Sequence, residues 1–210
     1  MLIDLHNHTR HLSMDSGLSL EDLLKRAKER GLDGVCLTEH NALWQNTERL
    51  MDAGNRHGLT VFRGMEVNTQ YGHVLVYGLP EFRNYMFNFD ELSRAIASEG
   101  AVLVLAHPQW VGMGQPPGPD VIKEHFHGIE VLNGEHANDA NNYVESMATR
   151  LGKFGTGGSD SHSLEAVGRC ATLFQSPVTT DEEMVQEMRA GLVSAVRLAP
   201  STNGLEPHRG

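Results

Sequence analysis

Short apolar runs alternate along the chain with longer stretches whose apolar residues recur at helical spacing, and a glycine closes most of the longer stretches. The runs predict strands over residues 1–5, 34–38, 60–67, 73–77, 102–106, 128–132, 154–158, 171–174 and 194–197. Helices are predicted over 20–30, 43–57, 89–99, 137–151 and 181–190. Ser19 stands where the first helix needs an N-cap and Gly31 where it needs a C-terminal glycine. Gly58, Gly100, Gly152 and Gly191 follow the others. Repeated strand, helix and glycine is the pattern of an α/β architecture with a largely parallel sheet or barrel. Residues 110–120, rich in Gly and Pro, read as a surface loop, and 200–210 as a polar tail behind one domain of residues 1–199.

Composition narrows the picture without naming a chemistry. A chain of 210 residues with 40% hydrophobic and 21% charged residues buries a sizeable core without metal or disulfide staples. No apolar run is long enough to span a membrane, and the N-terminus has no basic and apolar leader pattern. Of the two cysteines, Cys36 sits in an apolar run and reads as a small buried hydrophobe; a reducing, cytoplasmic setting is therefore expected. A net charge of -10 argues against a duplex nucleic-acid surface. It leaves room for a phosphorylated small molecule or nucleotide, because bound cations invert the local charge. Oligomeric state is not legible.

The unusual feature is where the histidines and acids fall. His6 and His8 follow the first strand, His40 the second, and Glu66 lies near the end of the third. His73 opens the next strand, His107 ends another, and Asp160 and His162 follow the run at 154–158. In parallel α/β folds the C-terminal strand ends converge on one mouth. His6 and His8, two apart on an extended chain, point to one face and are spaced to clamp one cation; Asp160 and His162 repeat that spacing. Imidazole with carboxylate suits Zn, Mn or Fe better than Ca or Mg. A carboxylate such as Glu66 is able to bridge two ions that hold a hydroxide between them.

The segments Asp4-Leu5-His6-Asn7-His8-Thr9, Ser13-Met14-Asp15-Ser16, Leu37-Thr38-Glu39-His40-Asn41, Gly64-Met65-Glu66, Gly72-His73-Val74-Leu75, Ala106-His107-Pro108 and Gly158-Ser159-Asp160-Ser161-His162 resemble, in order, the motifs of the PHP (polymerase and histidinol phosphatase) family. The resemblance covers about residues 1–197. It implies a distorted (β/α)7 TIM-like barrel with a metal site of two or three divalent ions at its C-terminal mouth. It further implies that His6, His8, Glu66 and Asp160 hold one ion, and that Glu66 bridges to a second completed by His73 and His107. Asp15, His40 and His162 would hold a third. Only 33 residues separate His73 from His107, too few for the capping insertion that many relatives carry there, so an open pocket is expected.

The activity expected is hydrolysis of a phosphate ester by metal-bound hydroxide, with Glu66 and Asp160 at the reacting centre. The ester is a small phosphomonoester, a nucleotide or a short oligonucleotide end. Arg10 and Arg169 are the cations placed to touch phosphoryl oxygens, His11 is the nearby proton donor, and Glu130, Asn133 and His136 read as support for the ligands. Two other classes stay open: a carbon–nitrogen or carbon–oxygen hydrolase of amidohydrolase type, and a non-enzymatic metal-binding module. The first commonly uses a bridging lysine, and no lysine falls at a strand end here. The second would need a closed structural site.

Overall fold

The computed structural model describes residues 1–108, 115–136 and 138–199. Trp110 and most of the expected loop before Pro116, like the expected tail 200–210, lie outside the described residues. Nine strands form one sheet in the order β7-β6-β5-β4-β3-β2-β1-β8-β9. They are β1 (Leu2–Asn7), β2 (Gly34–His40), β3 (Thr60–Thr69), β4 (Gly72–Tyr77), β5 (Val102–Leu105), β6 (Gly128–Asn133), β7 (Phe154–Gly158), β8 (Cys170–Phe174) and β9 (Val193–Arg197). Parallel pairing joins β1 to β2, β2 to β3, β5 to β6 and β6 to β7. Antiparallel pairing joins β3 to β4, β4 to β5, β1 to β8 and β8 to β9. Every strand except β4 and β8 therefore points the same way. The reversal of β4 explains why His73 opens its strand while the other strand-borne groups close theirs.

The helices are α1 (Leu20–Glu29), α2 (Thr47–His57), α3 (Phe89–Glu99), α4 (Pro119–His125), α5 (Asn138–Leu151) and α6 (Asp181–Arg189). Ser19 caps α1 by accepting from the Asp22 N–H, as expected, and Gly58 and Gly100 end α2 and α3 in the left-handed region. Two expectations need correction. Helix α2 starts at Thr47 rather than residue 43, because Asn46 caps it and Leu43 and Trp44 are drawn inward: the Trp44 indole donates to Glu39 Oε1 at 2.8 Å. Asp120, expected in a loop, lies in α4, a short helix opened by Pro119, whose missing N–H costs nothing at that position.

Alternation along the strands feeds two cores. Val74 and Val76 of β4, with Leu103 and Leu105 of β5, pack outward with Phe89 and Leu92 of α3. Leu75 and Tyr77, with Val102 and Val104, turn the other way to join Ile3, Leu5 and Phe62, and Met184 and Met188 of α6 pack against them. A third cluster holds α1 and α2 against Val35 and Leu37. Cys36 and Cys170 are both buried and free. Among the described residues no helix is long and apolar enough to cross a membrane.

The sheet closes into a barrel where the end of β7 returns to β1 and β8. Asp160 N–H donates to His6 O at 2.8 Å, Asn7 bridges Ser161 in parallel, and Gly157 exchanges two bonds of 2.9 Å with the Thr172 hydroxyl. The approach demands glycine. A Cβ on Gly157 would sit 2.3 Å from Ala171 O, and one on Gly158 2.4 Å from His6 Cβ and 2.8 Å from Glu130 Oε1. Gly158→Ala is accordingly expected to destabilise the protein by about 1–3 kcal/mol, the usual range for overpacking. A thermal unfolding midpoint equal to that of the unsubstituted chain would contradict this closure.

Candidate metal centre

Glu66, fully buried near the end of β3, is the centre of the mouth. Its two oxygens face different partners. His73 Nδ1 and His107 Nε2 approach Oε1 at 2.8 and 2.9 Å. His40 Nδ1, His8 Nε2 and His6 Nε2 surround Oε2 at 2.9, 3.2 and 3.5 Å. None of the approaches to Oε2 has hydrogen-bond geometry, so a buried carboxylate oxygen is left with imidazole nitrogens around it and no donor aimed at it.

Around that oxygen His6 Nε2, His8 Nε2, Glu66 Oε2 and Asp160 Oδ1 form one group. His6 Nε2 lies 3.0 Å from His8 Nε2 and 3.4 Å from Asp160 Oδ1, which is 3.3 Å from His8 Nε2. Two donors bound to one Zn-sized ion at ~2.1 Å stand about 3–3.4 Å apart, so these separations fit a shared cation. A second group is Glu66, His73 and His107. At a third position His40 Nε2 and His162 Nε2 face Asp15 Oδ2 at 3.1 and 3.6 Å, beside His8. The structure thus brings together His6, His8, Asp15, His40, Glu66, His73, His107, Asp160 and His162. These side chains fit a group of divalent cations by donor type and spacing.

Buried acids hold the donors in place. Glu130 Oε1 accepts from His6 Nδ1 at 2.8 Å, turning Nε2 toward Glu66 and Asp160, and Oε2 takes the His107 backbone N–H and the Asn133 amide, each at 3.0 Å. The support expected of Glu130 and Asn133 is present. Asp4 accepts from the backbone N–H groups of Ser159 and His6. Glu39 was legible only as part of a motif, with no role attached. It is fully buried and accepts from Thr9 N–H (3.0 Å), Thr9 Oγ1 (2.5 Å), Ser13 Oγ (2.6 Å) and Trp44 Nε1. It thereby pins the start of the loop that carries Asp15. Nothing in a linear sequence shows that four donors from two segments converge on one carboxylate.

Backbone strain collects at the same place. Among the described residues the non-glycine positions with positive φ are Asn41 (51°), His107 (22°) and Asp160 (53°), two of them in the donor groups and the third next to His40. The electrostatics are tightly coupled. Burial alone would depress His6 and His8, but Asp160, Glu130 and Glu66 hold His6 well above its ordinary value, and Asp160 and Glu66 raise His8 to about 9. Burial would likewise raise Glu66 and Asp160; His6 and its neighbours outweigh it and hold both carboxyls well below the usual range.

The other expected contacts stand differently. A cavity of about 700 Å³ opens onto Asp15, His40, Glu66, His73, His107, Asp160 and His162, and is lined also by Leu12, Ser13, Met14, Asn68, Glu135 and His136. Arg10 is exposed and not part of that lining. His11, also outside it, stacks on Trp44 with ring centroids 4.5 Å apart. Arg169 is engaged by Glu135 at 2.7 Å and by Gly134 O at 3.2 Å. His136, expected as support, lines the cavity itself.

Fold and site define an α/β barrel whose mouth gathers a multi-histidine, multi-carboxylate cluster. A family model described as PHP domain matches residues 4–176. The chain belongs to the PHP family. Uncharacterized protein MJ1587 of Methanocaldococcus jannaschii is 26% identical over 145 residues, 65% of this chain and 84% of its own length. Among solved structures, PsfC from Pseudomonas syringae PB-5123 superposes with a TM-score of 0.72 at 22% identity, covering 94% of this chain and 91% of PsfC. A two-domain protein from Bacteroides vulgatus, containing a predicted PHP-like metal-dependent phosphoesterase, gives 0.70 at 18% identity; 94% of this chain covers 65% of that one. An amidohydrolase from Chromobacterium violaceum, with bound sulfate and no metal, gives 0.59 at 19% identity over 95% and 98% of the two chains. These likenesses are of fold.

Two outcomes are expected from this geometry. Glu39→Gln sets an amide N–H₂ against either the Thr9 backbone N–H or the Trp44 indole N–H, neither of which is able to turn and accept. A loss of about 1–3 kcal/mol in urea unfolding is expected. The second concerns protons. Asp160 and Glu66 push His8 up to about 9 against its burial, and a cation bound at this group would compete with the proton for the same nitrogen. Affinity for Zn or Mn should therefore fall as pH drops below about 9, with protons released on binding. Titration calorimetry in buffers of different ionisation enthalpy measures this release; a heat independent of buffer would contradict it.

Proposed function

We propose that the protein is a metal-dependent phosphoesterase using two or three divalent cations, Mn, Fe or Zn, held by the nine side chains gathered at the mouth. The observation that carries the reading is the division of Glu66: one oxygen turned to His73 and His107, the other to His6, His8 and His40. A carboxylate so divided suits neighbouring ions that share it. Bound there, divalent cations supply an activated water as nucleophile and positive charge against the phosphoryl oxygens. The chain's own part is to fix that site. Glu130 orients His6, Glu39 holds the first loop, and Asn133 donates to Asp160 Oδ2 at 3.2 Å. The cavity above admits a small phosphomonoester, a nucleotide or the end of a short oligonucleotide.

Membership of the PHP family and the Bacteroides vulgatus neighbour support phosphate-ester chemistry over amide hydrolysis. So does the lining, which among the described residues contains no lysine to bridge two metals. The test is Glu66→Gln, which keeps the shape and removes the charge shared between ions. Unsubstituted protein is expected to contain more than one equivalent of metal by mass spectrometry and to turn over an aryl phosphate. The variant should stay folded, lose at least one equivalent and lose most activity. Full metal content with near-normal turnover would remove Glu66 from the bridging position.

A further inference from the structure

The lining of the mouth contains, among the described residues, neither lysine nor arginine. Arg10 is outside it and Arg169 is committed to Glu135. Phosphoryl oxygens turned away from the cations must then meet a neutral donor or water. Asn68 is in that position. It follows Glu66 by two residues on β3, so both side chains leave the strand on one face, and both line the cavity. Its main chain is held from two sides: it pairs with His73 across β4, and its N–H donates to Asn41 Oδ1 at 2.9 Å. Asn41 in turn, strained at φ 51°, donates its own N–H to Glu66 O at 2.8 Å.

The side-chain amide is unspent. Asn68 Oδ1 is buried with no hydrogen-bond partner, and its Nδ2 makes no hydrogen bond among the described residues. Neighbouring amides are in the opposite condition. Asn7 donates to Asp4 O and Cys36 O and accepts from Ser161. Asn133 donates to Glu130 and Asp160 and accepts from Glu135 N–H. Asn141 accepts from Asn133 N–H and donates to two carbonyls. Nδ2, unlike Oδ1, is not one of the buried unpaired atoms, and with no acceptor among the described residues engaged by it this N–H₂ is free to donate to a partner that arrives in the cavity.

Building on the phosphoesterase reading, we infer that Asn68 is a substrate-contacting residue whose amide Nδ2 donates to a phosphoryl oxygen of the ester and of the phosphate product. It replaces the cationic contact expected from Arg10 or Arg169. Its neutral amide is a poorer ligand than the imidazoles and carboxylates gathered beside it, so its removal should leave metal binding intact.

The experiment uses the full chain loaded with Mn. Metal content, the affinity for inorganic phosphate by calorimetry, and kcat and KM on p-nitrophenyl phosphate are measured for the unsubstituted protein, Asn68→Ala, Asn68→Asp and Asn68→Ser. Metal content is expected to be unchanged in all. Phosphate should bind roughly ten- to a hundredfold more weakly to Asn68→Ala, as loss of one hydrogen bond to a charged acceptor predicts. It should bind still more weakly to Asn68→Asp, whose carboxylate repels it, while Asn68→Ser regains part of the affinity. The same order should hold in kcat/KM. Phosphate affinity and kcat/KM within twofold of the unsubstituted protein in both Asn68→Ala and Asn68→Asp would overturn the inference. So would loss of metal in every variant, which would make Asn68 part of the ion cluster. An unsubstituted protein that holds metal yet neither binds phosphate nor hydrolyses the ester overturns the phosphoesterase reading itself, a result separable from the others because it appears before any substitution.

Discussion

A buried carboxylate ringed by imidazoles is the constraint on which the rest of the structure depends. Glu66 is buried at the floor of the cavity, and His6, His8, His40, His73 and His107 all approach it within 3.5 Å. Desolvating that many polar groups is unfavourable unless each has a charge partner. Without cations the carboxylates hold His6 and His8 above their ordinary values, and the imidazoles hold Glu66 and Asp160 below theirs. With cations the same nitrogens and oxygens are already spaced to share them.

Holding such a cluster requires rigidity behind it. Glu39, Glu130 and Asp4 are all buried, and each gathers hydrogen bonds from more than one stretch of chain. Their donors include backbone N–H groups, which cannot rotate away, so they fix where β1, β5 and β7 end. The strained residues His107 and Asp160 lie just past β5 and β7, and Asn41 just past β2. There the hydrogen-bonded frame is dense enough to hold conformations that cost of order 1–3 kcal/mol each.

Barrel closure is part of the same device. Because β7 carries Gly157 and Gly158, it lies against β1 and β8 closely enough for Asp160 N–H to reach His6 O. That contact carries Asp160 from the far end of the sheet order to within 3.4 Å of His6 and His8. A side chain at either glycine would separate the two halves of the cluster. Packing and chemistry are therefore coupled through the backbone.

Much of this was legible in the sequence. Apolar runs and terminal glycines located nearly every strand and the longer helices, because alternation and capping are local. The fall of His and acidic residues at strand ends, with the PHP motifs, named the donors that the structure brings together. Local patterns did not reach α4, too short to show a period, or the start of α2, where the bond from Trp44 to Glu39 overrides helical spacing. Nor did they separate lining from surface. Arg10 and His11 share a loop with Asp15, yet neither lines the cavity, while Asn68, with no motif to mark it, does. Position along the chain determines which groups are near the mouth; which of them face into it is decided by side-chain directions and by partners such as Trp44, Glu135 and Asn41, which only the assembled barrel supplies.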